Sequence, residues 1–291
     1  MAAMSGSDDT SRLSTTAPSA SIVLPTIGRP DYLEVALESV ADQANALRAE
    51  VVVVSDGADP RTAALAARHG ARVVSLPVRH GVNGARNAGI TAAAADLVIF
   101  LDDDVRASPG WLDAMLSGVR SAPAYEVFTG PIRGRLEGGP RACGREPPPI
   151  STYDFGLADR DVPYVYGGNT AVRRSAFERV GQFREELSGR GDEEEWVLRY
   201  TAAGGRLRYL AGAVVDHRRS PTDARLVALT RAAYRQGQEA RRHDLRIGKP
   251  RSIAAELRIL AGCAWHTVRR RCAFGIVMGA RAAGSLREGL R

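Results

Sequence analysis

Four short, mainly apolar runs rich in β-branched residues, at 21–25, 51–55, 71–76 and 96–101, constrain the fold of this chain most strongly. Each leads into a stretch that reads as a helix. Asp31, with Glu34 three residues later, reads as a capping box opening a helix to about Leu47. Asp59-Pro60 opens a second helix, residues 84–95 form a third, and Ser108-Pro109 starts a fourth. Strands that are continuously apolar, rather than alternating, are buried on both faces. Their alternation with helices predicts an α/β fold, a mostly parallel central sheet flanked by helices. Ligands bind such sheets outside the carboxyl ends of the strands. Here those ends carry Pro25-Thr26, Asp56, the stretch around Arg79, and Asp102-Asp103-Asp104.

The rest of the chain is less regular. Residues 130–163, rich in Gly, Pro and Arg, read as a long loop holding one strand pair. Residues 192–203 read as a helix, and 206–210 and 213–216 as short strands. Beyond Pro221 the pattern is helical and arginine-rich, and no internal repeat is present. With 291 residues, 44% of them hydrophobic and 25% charged, the chain can bury a core without disulfides or metals to staple it.

Charge and residue usage exclude several classes. Of the 40 basic residues only Lys249 is a lysine, and no Gly-Lys-Ser/Thr triplet exists, so a Walker-type phosphate loop is excluded. Lys249 sits in a Gly-Lys-Pro turn, a poor place for a Schiff-base lysine. Cys143, Cys263 and Cys272 lie far apart without a Cys-x-x-Cys, which suggests neither a zinc ribbon nor a disulfide framework and fits a reducing compartment. Residues 1–19 read as a disordered leader rather than a signal peptide, and the apolar run at 272–280 is too short to span a bilayer. The net charge of +7 is concentrated: from His217 onward there are seventeen basic and five acidic residues.

Asp102-Asp103-Asp104 is the sharpest chemical signal. Three adjacent carboxylates at the mouth of a buried strand repel one another unless a cation compensates, and a hard divalent cation holding a diphosphate would do so. Upstream, residues 80–90 join a Gly-rich turn to a helix N-terminus, a natural anion site. Downstream, Asp192-Glu193-Glu194-Glu195-Trp196 opens a helix with more carboxylates than capping requires, followed by Arg199 and by His217 at a strand end.

In order and spacing over roughly residues 20–220, these motifs resemble the family 2 glycosyltransferases of the GT-A fold. The residues that carry the resemblance are Pro25-Thr26, Asp56-Gly57, Ala85-Arg86-Asn87-Ala88-Gly89-Ile90, Leu101-Asp102-Asp103-Asp104, Gly168-Asn169, Gly181-Gln182-Phe183, and Asp192-Glu193 through Arg199 to His217. The resemblance implies a Rossmann-like catalytic unit at 20–220, with a nucleotide-binding half at 20–105 and an acceptor half at 106–220. A helical arginine-rich extension follows at 221–291. It also implies inverting transfer of a sugar from a nucleotide diphosphate to an acceptor hydroxyl or amine.

Residue by residue, the resemblance puts Pro25, Thr26 and Arg29 at the nucleotide entrance, Asp56 on the base, and Arg86 near base or phosphates. It puts Asp102 and Asp103 at the donor, with Asp102 at the ribose, and Gly168-Asn169 beside the transferred sugar. Asp104 and His217 would hold Mg²⁺ or Mn²⁺. The general base is Glu193 or Asp192, because this chain has Asp-Glu where the family commonly has Glu-Asp. Trp196 is a candidate platform for the acceptor sugar, whereas Trp111 reads as core. The expected partners are a nucleotide sugar, with a uridine diphosphate sugar foremost, and a carbohydrate, lipid-linked or small-metabolite acceptor. Nucleic acid is not expected. The alternatives are a nucleotidyltransferase of similar fold and a basic nucleic-acid-binding protein. The extension reads either as a helix packed on the catalytic unit or as a helix lying on an anionic membrane surface, which would make a cytoplasmic enzyme peripheral at the inner face.

Overall fold

The computed structural model describes residues 17–145, 149–187 and 192–290; most of the expected leader lies outside them. The first half alternates as the apolar runs predict: β1 (Ser21–Thr26), α1 (Pro30–Ala46), β2 (Glu50–Ser55), α2 (Pro60–Arg68), β3 (Arg72–Ser75), α3 (Gly81–Ala92) and β4 (Leu97–Leu101). β1 pairs in parallel with β2 and β4, and β2 in parallel with β3. β4 is buried at every residue, as is β2 after Glu50. Helix starts differ in detail. Arg29 precedes α1 without a side-chain cap, and Pro30 occupies the first turn, so the expected Asp31–Glu34 capping box does not form. Proline there has no N–H to satisfy, which removes the need for it. Asp59 does cap α2, accepting from the Arg61 amide at 3.1 Å.

The second half adds β5 (Val105–Ala107), α4 (Trp111–Ser121), β6 (Val127–Thr129), β7 (Ile132–Leu136), β8 (Arg160–Asp161), β9 (Asn169–Arg173), α5 (Arg174–Val180), α6 (Asp192–Ala202), β10 (Leu207–Tyr209) and β11 (Val215–Arg219). The large sheet runs β3-β2-β1-β4-β9-β6-β10-β8. β9 is antiparallel to both β4 and β6, so the parallel half meets the rest of the sheet through one reversed strand. The loop expected at 130–163 does contain two strands, but they do not pair with each other. β7 pairs with β11, and β8 with β10. The strand expected at 213–216 starts later and joins β5 and β7 in a separate three-stranded sheet. That small sheet positions the site. Its antiparallel β5–β11 register sets His217 opposite Val105, and the Arg218 amide donates to the Asp104 carbonyl at 2.9 Å.

Three helices follow: α7 (Leu226–Arg246), α8 (Ile253–Arg270) and α9 (Phe274–Gly289). α7 and α9 touch backbone to backbone at two glycines. A Cβ on Gly237 would overlap the Arg281 carbonyl, and one on Gly284 would overlap the Tyr234 carbonyl. α8 packs on α9 and leaves much of its apolar surface outside that contact. Ile253, Leu257, Trp265 and Val268 are exposed, Trp265 by 69% and Val268 by 77%. Among the described residues no helix is long and apolar enough to cross a membrane.

Candidate functional site

A cavity of about 1180 Å³ opens at the carboxyl ends of β1, β2 and β4. Pro25, Thr26 and Asp56 reach it from strand ends, Gly167-Gly168 from the loop before β9, Glu193 from α6, and His217 from β11. α7 and α9 wall another side through Gln236, Glu239, Met278 and Arg281.

The three aspartates after β4 have three different environments. Asp103 is buried and turned into the protein: the Thr26 hydroxyl donates to it at 2.6 Å, and Arg29 grips it through Nε at 3.2 Å and through Nη2. Burial pushes its carboxyl up to about 7 against the pull of Arg29. Asp103 thus latches the β4 end to the β1 end while still lining the cavity. Asp104 faces the cavity. Its Oδ2 accepts from Arg29 Nη1 at 3.1 Å and from Arg219 Nη1 at 3.0 Å. Its burial opposes ionisation, yet His217, Arg29 and Arg219 hold its carboxyl well below the usual range. Asp102 moves the other way, pushed up by burial and then by the Asp104 charge. A Cβ on Gly168 would overlap the Asp102 carboxylate, so only glycine lets that aspartate sit where it does.

His217 is buried, and its Nδ1 lies 3.0 Å from the Ser151 carbonyl, an arrangement in which Nδ1–H donates. Nε2 lies 3.5 Å from Asp104 Oδ1 and 3.3 Å from Arg219 Nη1. Nε2 and Oδ1, so spaced, can share a divalent ion at about 2.1 Å from each. The remaining negative charge on Asp102 is the kind a cation relieves. The donor set therefore fits a hard divalent metal.

Asp56 sits on the β2 end with its carboxylate on the His80 and Gly81 amides, at 2.6 and 3.0 Å. The anion site expected at the start of α3 is thus occupied by the protein's own carboxylate. Arg86 is buried, with Nη1 donating to Asn83 Oδ1 at 3.2 Å and its guanidinium 5.6 Å from the Phe183 ring centre. A side chain at Gly167 would collide with that guanidinium. Glu193 is half-buried, with Oε1 accepting from the Gly167 amide at 3.4 Å. The Asp192 side chain lies outside the described residues.

Two expectations are overturned by packing. Asn169 is fully buried and spends its amide on the core: the Trp111 indole donates to Oδ1 at 2.9 Å, while Nδ2 donates to the Ala213 and Pro131 carbonyls at 2.8 and 3.3 Å. No polar atom is left for a sugar. Trp196 is 1% exposed, stacked on Tyr200 with ring centres 5.4 Å apart, and its indole donates to the Gly181 carbonyl at 2.7 Å. It cannot serve as an open platform. Sequence reasoning missed Arg219, although the signal was present: residues two apart on a strand share a face, so Arg219 follows His217 toward Asp104. Nothing in the sequence pointed to Ser151 or to the wall formed by α7 and α9.

The model of the family described as Glycosyl transferase family 2 matches residues 21–181. The pre-mycofactocin glycosyltransferase of Mycobacterium tuberculosis is 33% identical over 151 residues, covering 50% of this chain and 32% of that protein. The validoxylamine A glucosyltransferase of Streptomyces hygroscopicus subsp. jinggangensis is 28% identical over 209 residues, covering 61% and 50%. The matched part of this chain thus spans about a third to a half of the length of these relatives. Among solved structures, that of GalNAc-T7 with UDP, GalNAc and Mn²⁺ superposes with a TM-score of 0.56 at 15% identity, covering 76% of this chain and 48% of that one. At that identity the likeness is one of fold.

Proposed function

This chain belongs to glycosyl transferase family 2, and on that premise we propose that it transfers a sugar, with inversion, from a nucleoside diphosphate donor to an acceptor hydroxyl or amine. The observation that carries the reading is the convergence of Asp102, Asp104, His217 and Glu193 on one cavity at the strand ends. The catalytic unit is residues 20–220, and the extension at 221–291 lends α7 and α9 to its wall. A uridine diphosphate sugar is the favoured donor, by analogy with the UDP and Mn²⁺ found in the GalNAc-T7 structure.

Asp104 and His217 would hold the divalent cation, Mg²⁺ or Mn²⁺, with Asp102 beside them. When bound, the cation offsets the charge that develops on the departing diphosphate. Arg29 and Arg219, already paired to Asp104, keep that carboxylate ionised and oriented. Asp56, steadied by two backbone amides, keeps lone pairs for an N–H of the base. Arg86 adds fixed positive charge near the phosphates. Glu193, at the start of α6, takes the proton of the attacking acceptor from the face opposite the diphosphate, which is why the transfer inverts.

The exposed Ile253, Leu257, Trp265 and Val268, interspersed with arginines, favour the membrane reading of the extension over a helix buried against the catalytic unit. On this reading the enzyme works in the cytoplasm, peripheral at the inner membrane face, an arrangement that suits a lipid-linked acceptor.

The test is a thermal-shift and calorimetry panel of nucleoside diphosphates and sugar nucleotides with and without Mn²⁺. Metal-dependent binding of a nucleoside diphosphate, lost in Asp104→Ala with the fold intact, is expected. Equal affinity with and without metal would refute the metal role. Release of pyrophosphate, rather than a nucleoside diphosphate, would make the protein a nucleotidyltransferase.

A further inference from the structure

Cys143 and Cys272 stand 129 residues apart in sequence, yet folding brings them together. The segment at 141–145 docks on the turn between α8 and α9: the Ala273 amide donates to the Arg141 carbonyl at 3.2 Å, and the Cys143 amide to Cys272 Sγ at 3.3 Å. From the C-terminal part of α8, His266 places Nε2 3.5 Å from Cys143 Sγ. The two sulfurs and a ring nitrogen all lie within 4.8 Å of one another. Cys272 is buried, and Cys143 and His266 are half-buried. No disulfide joins the described cysteines.

We propose that Cys143, His266 and Cys272 form a zinc site that clips the 141–145 segment to the α8–α9 hairpin. Ligand chemistry selects the metal, since two thiolates and an imidazole are borderline-soft donors that suit Zn²⁺. Geometry agrees. Tetrahedral zinc, with Zn–S about 2.3 Å and Zn–N about 2.0–2.1 Å, sets sulfur and nitrogen about 3.6 Å apart, against the 3.5 Å found here. An amide N–H aimed at Cys272 Sγ is the outer contact that a metal-bound thiolate invites. Charge balances as well: binding displaces one proton from each thiol, and two thiolates with a neutral imidazole cancel the charge of Zn²⁺. Three protein ligands leave the fourth position to water.

The clip bears on the cavity without belonging to it. Ser151, whose carbonyl accepts from His217, follows Cys143 by only eight residues, so the clip lies close in sequence to a contact that orients the site. Sulfur ligation also separates the zinc site from the oxygen-rich donors at Asp102 and Asp104, and the inference stands whether or not the catalytic reading holds.

The experiment titrates Co²⁺ alone into the full-length protein, reduced with a phosphine and freed of metal. A sulfur-to-cobalt charge-transfer band with the intense visible bands of a tetrahedral site is expected, saturating at one equivalent and displaced by Zn²⁺. Cobalt on carboxylates gives no sulfur band. Cys143→Ser and His266→Ala should abolish the signal while circular dichroism shows them folded, and Cys263→Ser should keep it. Zn²⁺ should raise the melting temperature of the parent protein but not of Cys143→Ser. Absence of the sulfur band in the folded, reduced protein would overturn the proposal. So would its persistence in Cys143→Ser, or a Cys143–Cys272 disulfide in protein purified under reducing conditions.

Discussion

Replacing Asn169 by alanine is expected to weaken the fold rather than the grip on a donor. The amide of Asn169 joins three elements, because it accepts from the Trp111 indole and donates to the carbonyls of Ala213 and Pro131. The Pro131 carbonyl also accepts from the Val215 amide, so it keeps a partner in the variant. The Trp111 N–H and the Ala213 carbonyl lose theirs inside the core. Each buried orphan costs about 1–3 kcal/mol, and the lost side-chain volume adds a small cavity term. A loss of about 3–5 kcal/mol follows, a large share of the 5–15 kcal/mol that typically holds a domain together. In a chain of this size that corresponds to a melting temperature about 10 °C lower. Urea unfolding and differential scanning calorimetry measure the first quantity, and calorimetric titration of a nucleoside diphosphate at a temperature where the variant is folded measures the second. An unchanged unfolding midpoint together with a weakened donor affinity would show that Asn169 faces a ligand and that the burial argument is wrong.

Glu193→Gln keeps the side-chain shape but cannot take a proton, so turnover should fall by about 100-fold or more with donor affinity preserved; a matching loss of donor affinity would assign Glu193 to the donor instead. Gly284→Leu forces a side chain into the Tyr234 carbonyl and should part α9 from α7 at a cost of about 1–3 kcal/mol, seen as faster proteolysis of the C-terminal helices; unchanged resistance would contradict the close packing. Co-sedimentation with phosphatidylglycerol vesicles should be strong at low salt, weaken as salt rises, and drop in a Trp265→Ser, Val268→Ser double variant. Binding indifferent to salt and to both substitutions would rule out the membrane role of α8.

The parallel half of the sheet was legible in the sequence because its signal is local. A strand buried on both faces must be apolar throughout, and each such run is bounded by its own turn and cap residues. The same locality made Asp102-Asp103-Asp104 readable as a cation-seeking cluster at a strand end. What each aspartate does was not local. Asp103 turned inward because Thr26 and Arg29, more than seventy residues earlier, meet it across two parallel strands, while Asp104 faces the cavity because β11 brings His217 and Arg219 beside it. Nothing local in β5, β6 or β9 says which strand each will pair with or in which direction, so the reversal at β9 and the second sheet were decided by tertiary pairing alone. Asn169 and Trp196 have the composition of ligand contacts, and only the packing of α4, α5 and α6 around them turned both into core. The cysteines show the same division most plainly: their spacing suggests no shared site, and a chain that folds back over 129 residues sets two of them beside one histidine.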